Sequence, residues 1–487
     1  MTMRLRHLAR STILATVTAV TGTVCVASSA AEAQVTGGRQ TARQCEVQFE
    51  PRSPADSAST VLEKQPSGVY NAFQGGGVRY RCAGDDVTIE ADSAAFYGDL
   101  NILYMIGNVH YREPRAELDA DQLTYYRSDE WVLAQGNVLA RMDNGSTMRG
   151  PSAEYYRAVP AIRPLQRVVA TGRPTFTLVP QDSTGAPQEP VTIVADRVVA
   201  EGDSLVYAGG QVRITRPDVD ASADSAALDE GRGFARLMRS PRIEGRGERV
   251  FTLTGNTIDL FSRERELERV LSMGAARVVS EDVTVTADTL DLRVEEGELE
   301  RAFAWGPGRA RAASPGREIV ADSLDVLLPG QRLRTVHALG GARIESDPDS
   351  ASIVSDVRDW LAGDTVIANF DTTRAPGDTT SQPRLSDLLA EGDARSFQQI
   401  GPDSGRTARP SIHYVRGRTI NVLFDDGRPQ SVKVSAPDSG LTSGVYLDAT
   451  GASAERGEPR TPAPPVTPPA NPSSPPPVPP PGGLRDD

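Results

Sequence analysis

Residues 89–140 read IEADSAAFYGDLNILYMIGNVHYREPRAELDADQLTYYRSDEWVLAQGNVLA, and they hold two copies of one pattern. An Ala-Asp segment (Ile89-Glu90-Ala91-Asp92, then Leu118-Asp119-Ala120-Asp121) alternates with a Gly-Asn-Val segment (Gly107-Asn108-Val109, then Gly136-Asn137-Val138). Apolar and polar residues alternate at period two, with Val, Ile, Thr and Tyr common, so the segments read as strands and not helices. Counted from the Asp, apolar residues fall at minus three and minus one, then at plus two and plus four: Ile89 and Ala91, then Ala94 and Phe96. A flat strand would turn its second half outward, so a bulge or bend at Asp92 has to absorb one residue. Around Gly107 the spacing stays even, from Leu103 and Met105 to Val109 and Tyr111. That puts the Gly on the apolar face, where it removes a side chain as the strand crosses the interior.

Outward from this stretch the Ala-Asp segment recurs at Asp196, Asp224, Asp288 and Asp322, and the Gly segment at Gly210, with weaker copies at Gly172, Gly274, Gly306 and Gly340. Like segments return every 28 to 38 residues or so, room for an out-and-back pair of strands and too little for a domain. Turns such as Asp143-Asn144-Gly145 join neighbours that run antiparallel. The expected fold is all-β: an elongated antiparallel jelly roll, a V-shaped sheet of bent strands in repeats of about 30 residues. Roughly 18 passes at about 4.8 Å each would extend on the order of 85 Å. The repeats occupy 75–345, and a less regular continuation covers 346–450, with loops near 375–384 and 400–410. From 451 to 487 the chain is so rich in Pro that disorder or extended polyproline is expected.

The first 33 residues read as an export signal: Arg4, Arg6 and Arg10 precede an apolar run from about Thr12 that ends at Ala31-Glu32-Ala33, leaving Gln34 first. A lipidated Cys25 is the rival reading, weakened by the bulky Val24 before it. Residues 34–74 form an N-terminal segment with a strand. After cleavage two cysteines remain, Cys45 and Cys82, and in an oxidising compartment a disulfide between them is expected, closing a loop worth about 3–4 kcal/mol. No stretch of the mature chain nears the roughly 18 apolar residues needed to span a bilayer.

A net charge of -13 with scattered Lys and Arg excludes nucleic acid as partner. No metal site is expected, because His110, His337 and His413 lie far apart. Calcium repeats place several Gly and Asp within about nine residues, unlike one Asp per thirty. No nucleotide loop and no serine elbow is present, and Asp85-Asp86 and Asp425-Asp426 read as polar turns, so neither a cofactor nor an enzymatic activity is expected.

The alternating Ala-Asp and Gly-Asn-Val strands behind a cleavable signal resemble the OstA-like, or LptA-like, family of periplasmic lipopolysaccharide-transport proteins (the organic solvent tolerance-like N-terminal domain). The resemblance is strong over about 270 residues and extends over about 370. It implies a periplasmic carrier, free or associated with the outer membrane, that holds lipopolysaccharide acyl chains in an apolar groove. It also implies partners: homologous jelly-roll proteins of an inner-membrane transporter and an outer-membrane translocon, with head-to-tail self-association open to it. The chain departs from small bridging members in its length and its Pro-rich tail, and it lacks the alternating aromatic-girdled strands of a translocon barrel. The expected lining from the first repeats is Ile89, Ala91, Phe96, Met105, Val109, Leu118, Ala120, Leu123 and Val138. Ile193, Ala195, Val212, Val285 and Ile319 continue it, and the expected bends are Asp92, Asp121, Asp196, Asp224, Asp288 and Asp322 with Gly107, Gly136 and Gly210. The alternative is a non-catalytic envelope scaffold or adhesin-like repeat protein, whose same residues make a closed, dry core.

Overall fold

The computed structural model describes residues 46–447 except 52–59, 84–85, 160–162, 180–185, 188, 203, 218, 247–249, 264–265, 281–282, 296–297, 372–383, 403–404, 426–427 and 436–442. The chain falls into two units, Met1–Arg43 and Gln44–Asp487, and every described residue belongs to the second. The expected signal, Cys25, Cys45 and the Pro-rich segment lie outside the described residues.

All 28 described strands join one antiparallel sheet, and no α-helix occurs among the described residues. Each chain pass pairs with the pass before and the pass after it, as Thr88–Tyr97, Ile102–Glu113, Ala116–Tyr126 and Trp131–Met142 do. Six passes are broken into two strands each, so the 28 strands make 22 passes, more than the 18 expected. The pattern continues past residue 345 through Asp359–Asp371, Arg384–Ile400 and Ser411–Asp425, so the less regular motifs there still build the same sheet.

Nearly every whole pass shifts register near its middle, and the sheet folds along that line into two facing wings. One wing holds residues 102–106, 122–126, 131–135 and 152–156; the other holds 109–113, 116–120, 138–142 and 147–149. The location of the extra residue differs from expectation. Ala91 and Asp92 lie opposite three residues, 107–109, and Ala120 and Asp121 lie opposite 136–138, so the added residue belongs to the Gly-Asn pass. The inward residues that flank the bend are thus three apart on an Ala-Asp pass (Ala91, Ala94) and four apart on a Gly-Asn pass (Met105, Val109).

The glycines also do more than vacate space in mid-strand. Gly107 (φ +79°) and Asn108 (φ +45°) form a left-handed corner, as do Gly136 and Asn137, and Gly210 and Gln211. Only Gly takes the first of these conformations without strain. A Cβ on Gly107 would stand 2.4 Å from an Asp92 carboxylate oxygen, and one on Gly136 2.3 Å from Asp121. Gly210 is packed the same way against Asp196, Gly340 against Asp322, and Gly306 against the Cβ of Asp288. The Asp recurs because it packs on the neighbouring corner and pairs with the side chain there. Asn108 donates to Asp92 at 2.8 Å and Asn137 to Asp121 at 2.8 Å, while Arg173 serves Asp196 at 3.2 Å and Arg239 serves Asp224 at 3.1 Å.

Candidate functional site

The inner faces of the two wings share one apolar core that runs from Val78 to Val422. Next to the fold line this core is dry along its whole length: Val109, Ala134, Ala195, Ala310, Ala321 and Ala390 are fully buried. Away from the line the two halves of the sheet differ.

From Thr88–Tyr97 to Thr257–Arg263 the outer inward positions are filled and mostly buried, among them Ile89, Tyr111, Leu118, Tyr125, Tyr155 and Phe176. From Glu266–Ser280 to Thr335–Ser346 the corresponding positions are only partly buried, and beyond them Leu361, Ser396 and Val415 are buried again. Val278, Val285, Ala312, Ile319 and Ile344 line one wing, with Leu292, Ala302 and Val326 on the other. Over residues 266–346 the second half is therefore an apolar trough with a dry floor and partly accessible walls, and the first half is largely shut.

The expected lining residues divide accordingly. Ile89, Ala91, Met105, Val109, Leu118, Ala120, Leu123, Val138, Ile193, Ala195 and Val212 lie buried in the shut half. Phe96 is partly buried there, with the Arg127 guanidinium 5.4 Å from its ring. Of the fourteen residues in that lining, Val285 and Ile319 belong to the open trough. The expected lining left out Val278, Ala312 and Ile344, and also Leu292 and Val326, which the alternation had placed on the inward face. The signal was available as the residues two positions outward from each buried floor residue, but nothing local distinguishes an open wall from a closed one.

The open half and the passes that lead into it are stiffened from outside. Bidentate pairs cross the outer face of one wing: Arg236 with Asp259 at 2.7 and 2.7 Å, Arg269 with Asp291 at 2.8 and 2.9 Å, and Arg301 with Asp325 at 2.8 and 2.6 Å. Each guanidinium also lies over a ring, Phe234, Phe261 and Phe303 in turn. Cross-strand ties of this kind fix register where the inner face alone packs weakly.

His110, Asp119 and Arg141 meet on the outer face. Desolvation pushes the Asp119 carboxyl up, but hydrogen bonds from His110 and Arg141 outweigh it and hold the carboxyl below its ordinary range. An open dent of about 540 Å³ on the outer side of the fold line is bordered by Arg173, Arg213, Arg239 and Asp224. Among the described residues no three His, Cys, Asp or Glu side chains gather in a way that could hold a metal ion. Cys82 is buried and disulfide-bonded. Against this geometry, no protein-family model matches the chain, and no curated protein matches it.

Proposed function

We propose that this chain is a non-catalytic carrier of lipopolysaccharide or a related glycolipid, working in the periplasm and passing lipid toward the outer membrane. The observation that carries the reading is the trough of the second half, whose walls keep Val285, Ile319 and Ile344 accessible above a dry floor. Partly exposed contiguous apolar surface of this kind marks a ligand or partner site, because leaving it in water costs roughly 25 cal/mol per Å². Acyl chains cover such walls, and an open mouth lets charged headgroups keep their hydration, whose loss costs several kcal/mol. Five passes, from Glu266–Ser280 to Thr335–Ser346, give the trough a length of about 20 Å at the usual strand spacing. Transfer along it needs no bond-making step in this chain. The partners the reading requires are jelly-roll proteins at either end of the route, in an inner-membrane transporter and an outer-membrane translocon, joined through strand edges.

A second reading, an envelope scaffold with a closed core, is favoured by the packed first half. Photocrosslinking side chains at Val285, Ile319 and Ile344, with Met105 and Val138 as buried controls, separate the two. Lipid adducts at the first three and none at the controls are expected in the native envelope. Absence of adducts at all five would sink the carrier reading and leave the scaffold.

A further inference from the structure

The mouth of the shut half is tied as well as packed. Tyr111 and Glu113 belong to the wing of residues 109–113, which pairs with 116–120. Tyr155 and Arg157 belong to the opposite wing, where residues 152–156 pair with 131–135 and with Arg167–Thr171. Across the gap Tyr155 Oη donates to Glu113 Oε1, and the Tyr111 and Tyr155 rings meet edge to face with centroids 6.4 Å apart. Tyr111 Oη donates to Glu113 Oε2 at 3.1 Å, and Arg157 Nε stands 3.7 Å from that oxygen. The Arg157 guanidinium also donates to Glu130 Oε2 at 2.9 Å, which receives Tyr125 Oη at 2.5 Å as well. Only 11% of the Glu113 side chain and 5% of the Glu130 side chain are exposed. These charged groups thus close over the apolar residues beneath them.

The open half has no such tie at the matching places. Glu113 stands four residues beyond Val109, the first inward residue past the corner. In the open half the residues four beyond Ala276, Ala310 and Ala342 are Ser280, Ser314 and Ser346, whose side chains are too short to reach the facing wing. The wings part where the long polar side chains are lacking.

We propose that Glu113, Tyr155 and Arg157 form a clasp that holds the first half of the trough shut, and that releasing it makes the inner face beneath, including Leu118, a continuation of the open trough. The second clause rests on the lipid reading; the clasp itself does not. Charge-assisted bonds between two sheets open as a unit when one member is lost, because the remaining buried groups are left unpaired.

The test uses the full chain carrying Leu118→Cys under the clasp, or Leu290→Cys on the dry floor of the open half, each with and without Glu113→Gln and Tyr155→Phe. Maleimide labelling at position 118 is expected to rise tenfold or more in the clasp variants, with position 290 unchanged and the melting transition still cooperative. No rise at 118, or an equal rise at both positions, overturns the clasp, the second because it reports general loosening. Tyr155→Phe alone keeps the ring contact and serves if Glu113→Gln fails to fold. Photocrosslinkers at Leu118 and Val285 in the Tyr155→Phe chain, exposed to lipopolysaccharide micelles, then test the extension. Adducts at both are expected. Adducts at Val285 alone overturn the extension, and adducts at neither overturn the lipid reading while the labelling result still judges the clasp.

Discussion

Strands Ile102–Glu113 and Thr335–Ser346 share the same pairing, the same left-handed corner and the same dry floor, yet one lies in a sealed wedge and the other in an open one. A V widens with distance from its fold line, so side-chain volume must grow outward for the wings to meet. In the first half it does: Val109 is followed inward by Tyr111, Ala120 by Leu118, and Ala153 by Tyr155. In the second half the series runs Ala310, Ala312, Ser314, and the gap outgrows the residues that face it. Interiors pack densely only where shape and volume match, and a gap of even an ångström forfeits much of the dispersion attraction. The contrast teaches that a repeat can hold one backbone geometry constant while the size of its outer inward residues decides between core and groove.

The sharpest way to break this comparison is truncation in each half. Leu103→Ala should destabilise by about 2–5 kcal/mol, the range for a fully buried leucine, and Ile319→Ala by about half of that or less. Urea unfolding measures both; equal losses would mean the trough walls are as packed as the sealed core.

The corner offers the next test, common to both halves. Gly136→Ala forces a Cβ to within 2.3 Å of Asp121 at φ +74°, and a loss of about 1–3 kcal/mol is expected. At Gly209, beside the corner of Gly210, a Cβ meets nothing within 4 Å, and Gly209→Ala should change the melting temperature little. If the two cost the same, the left-handed corner is not what shapes the fold.

Alkaline pH should open the sealed half first. Burial, reinforced by Glu113 for Tyr111 and Tyr155 and by Glu130 for Tyr125, holds all three phenols well above their ordinary value. Their folded values exceed the unfolded one of about 10, so their contribution is intact below pH 10 and is lost as pH rises from there toward the folded values. Hydrogen exchange at 102–156 should accelerate above pH 10 before exchange at 266–346 does; simultaneous acceleration would show that the buried tyrosines do not distinguish the halves.

The smallest effect is expected on the outer fold line, where Arg239 is 80% and Asp224 51% exposed. Arg239→Gln should shift stability by less than about 1 kcal/mol, since exposed pairs are screened. A larger loss, read by thermal melting, would give these corner pairs a structural weight the buried contacts do not.

Much of this was legible in residues 89–140. Alternation at period two and the slip at Asp92 are local facts of the chain, set by the reach of a strand and the two faces of its pleat, and they specify bent antiparallel passes. Which pass carries the added residue was not legible, because Asn108 and Asn137 reveal a left-handed corner only once their side chains are seen on the neighbouring aspartates. The fate of the lining was also hidden. Whether Leu118 is core or Ile319 is wall depends on what the facing wing brings to the same depth, and contacts such as Glu113 with Tyr155 join residues 42 apart. Bend and strand come from near neighbours in the chain; open and shut come from volumes that meet only after the sheet has folded on itself.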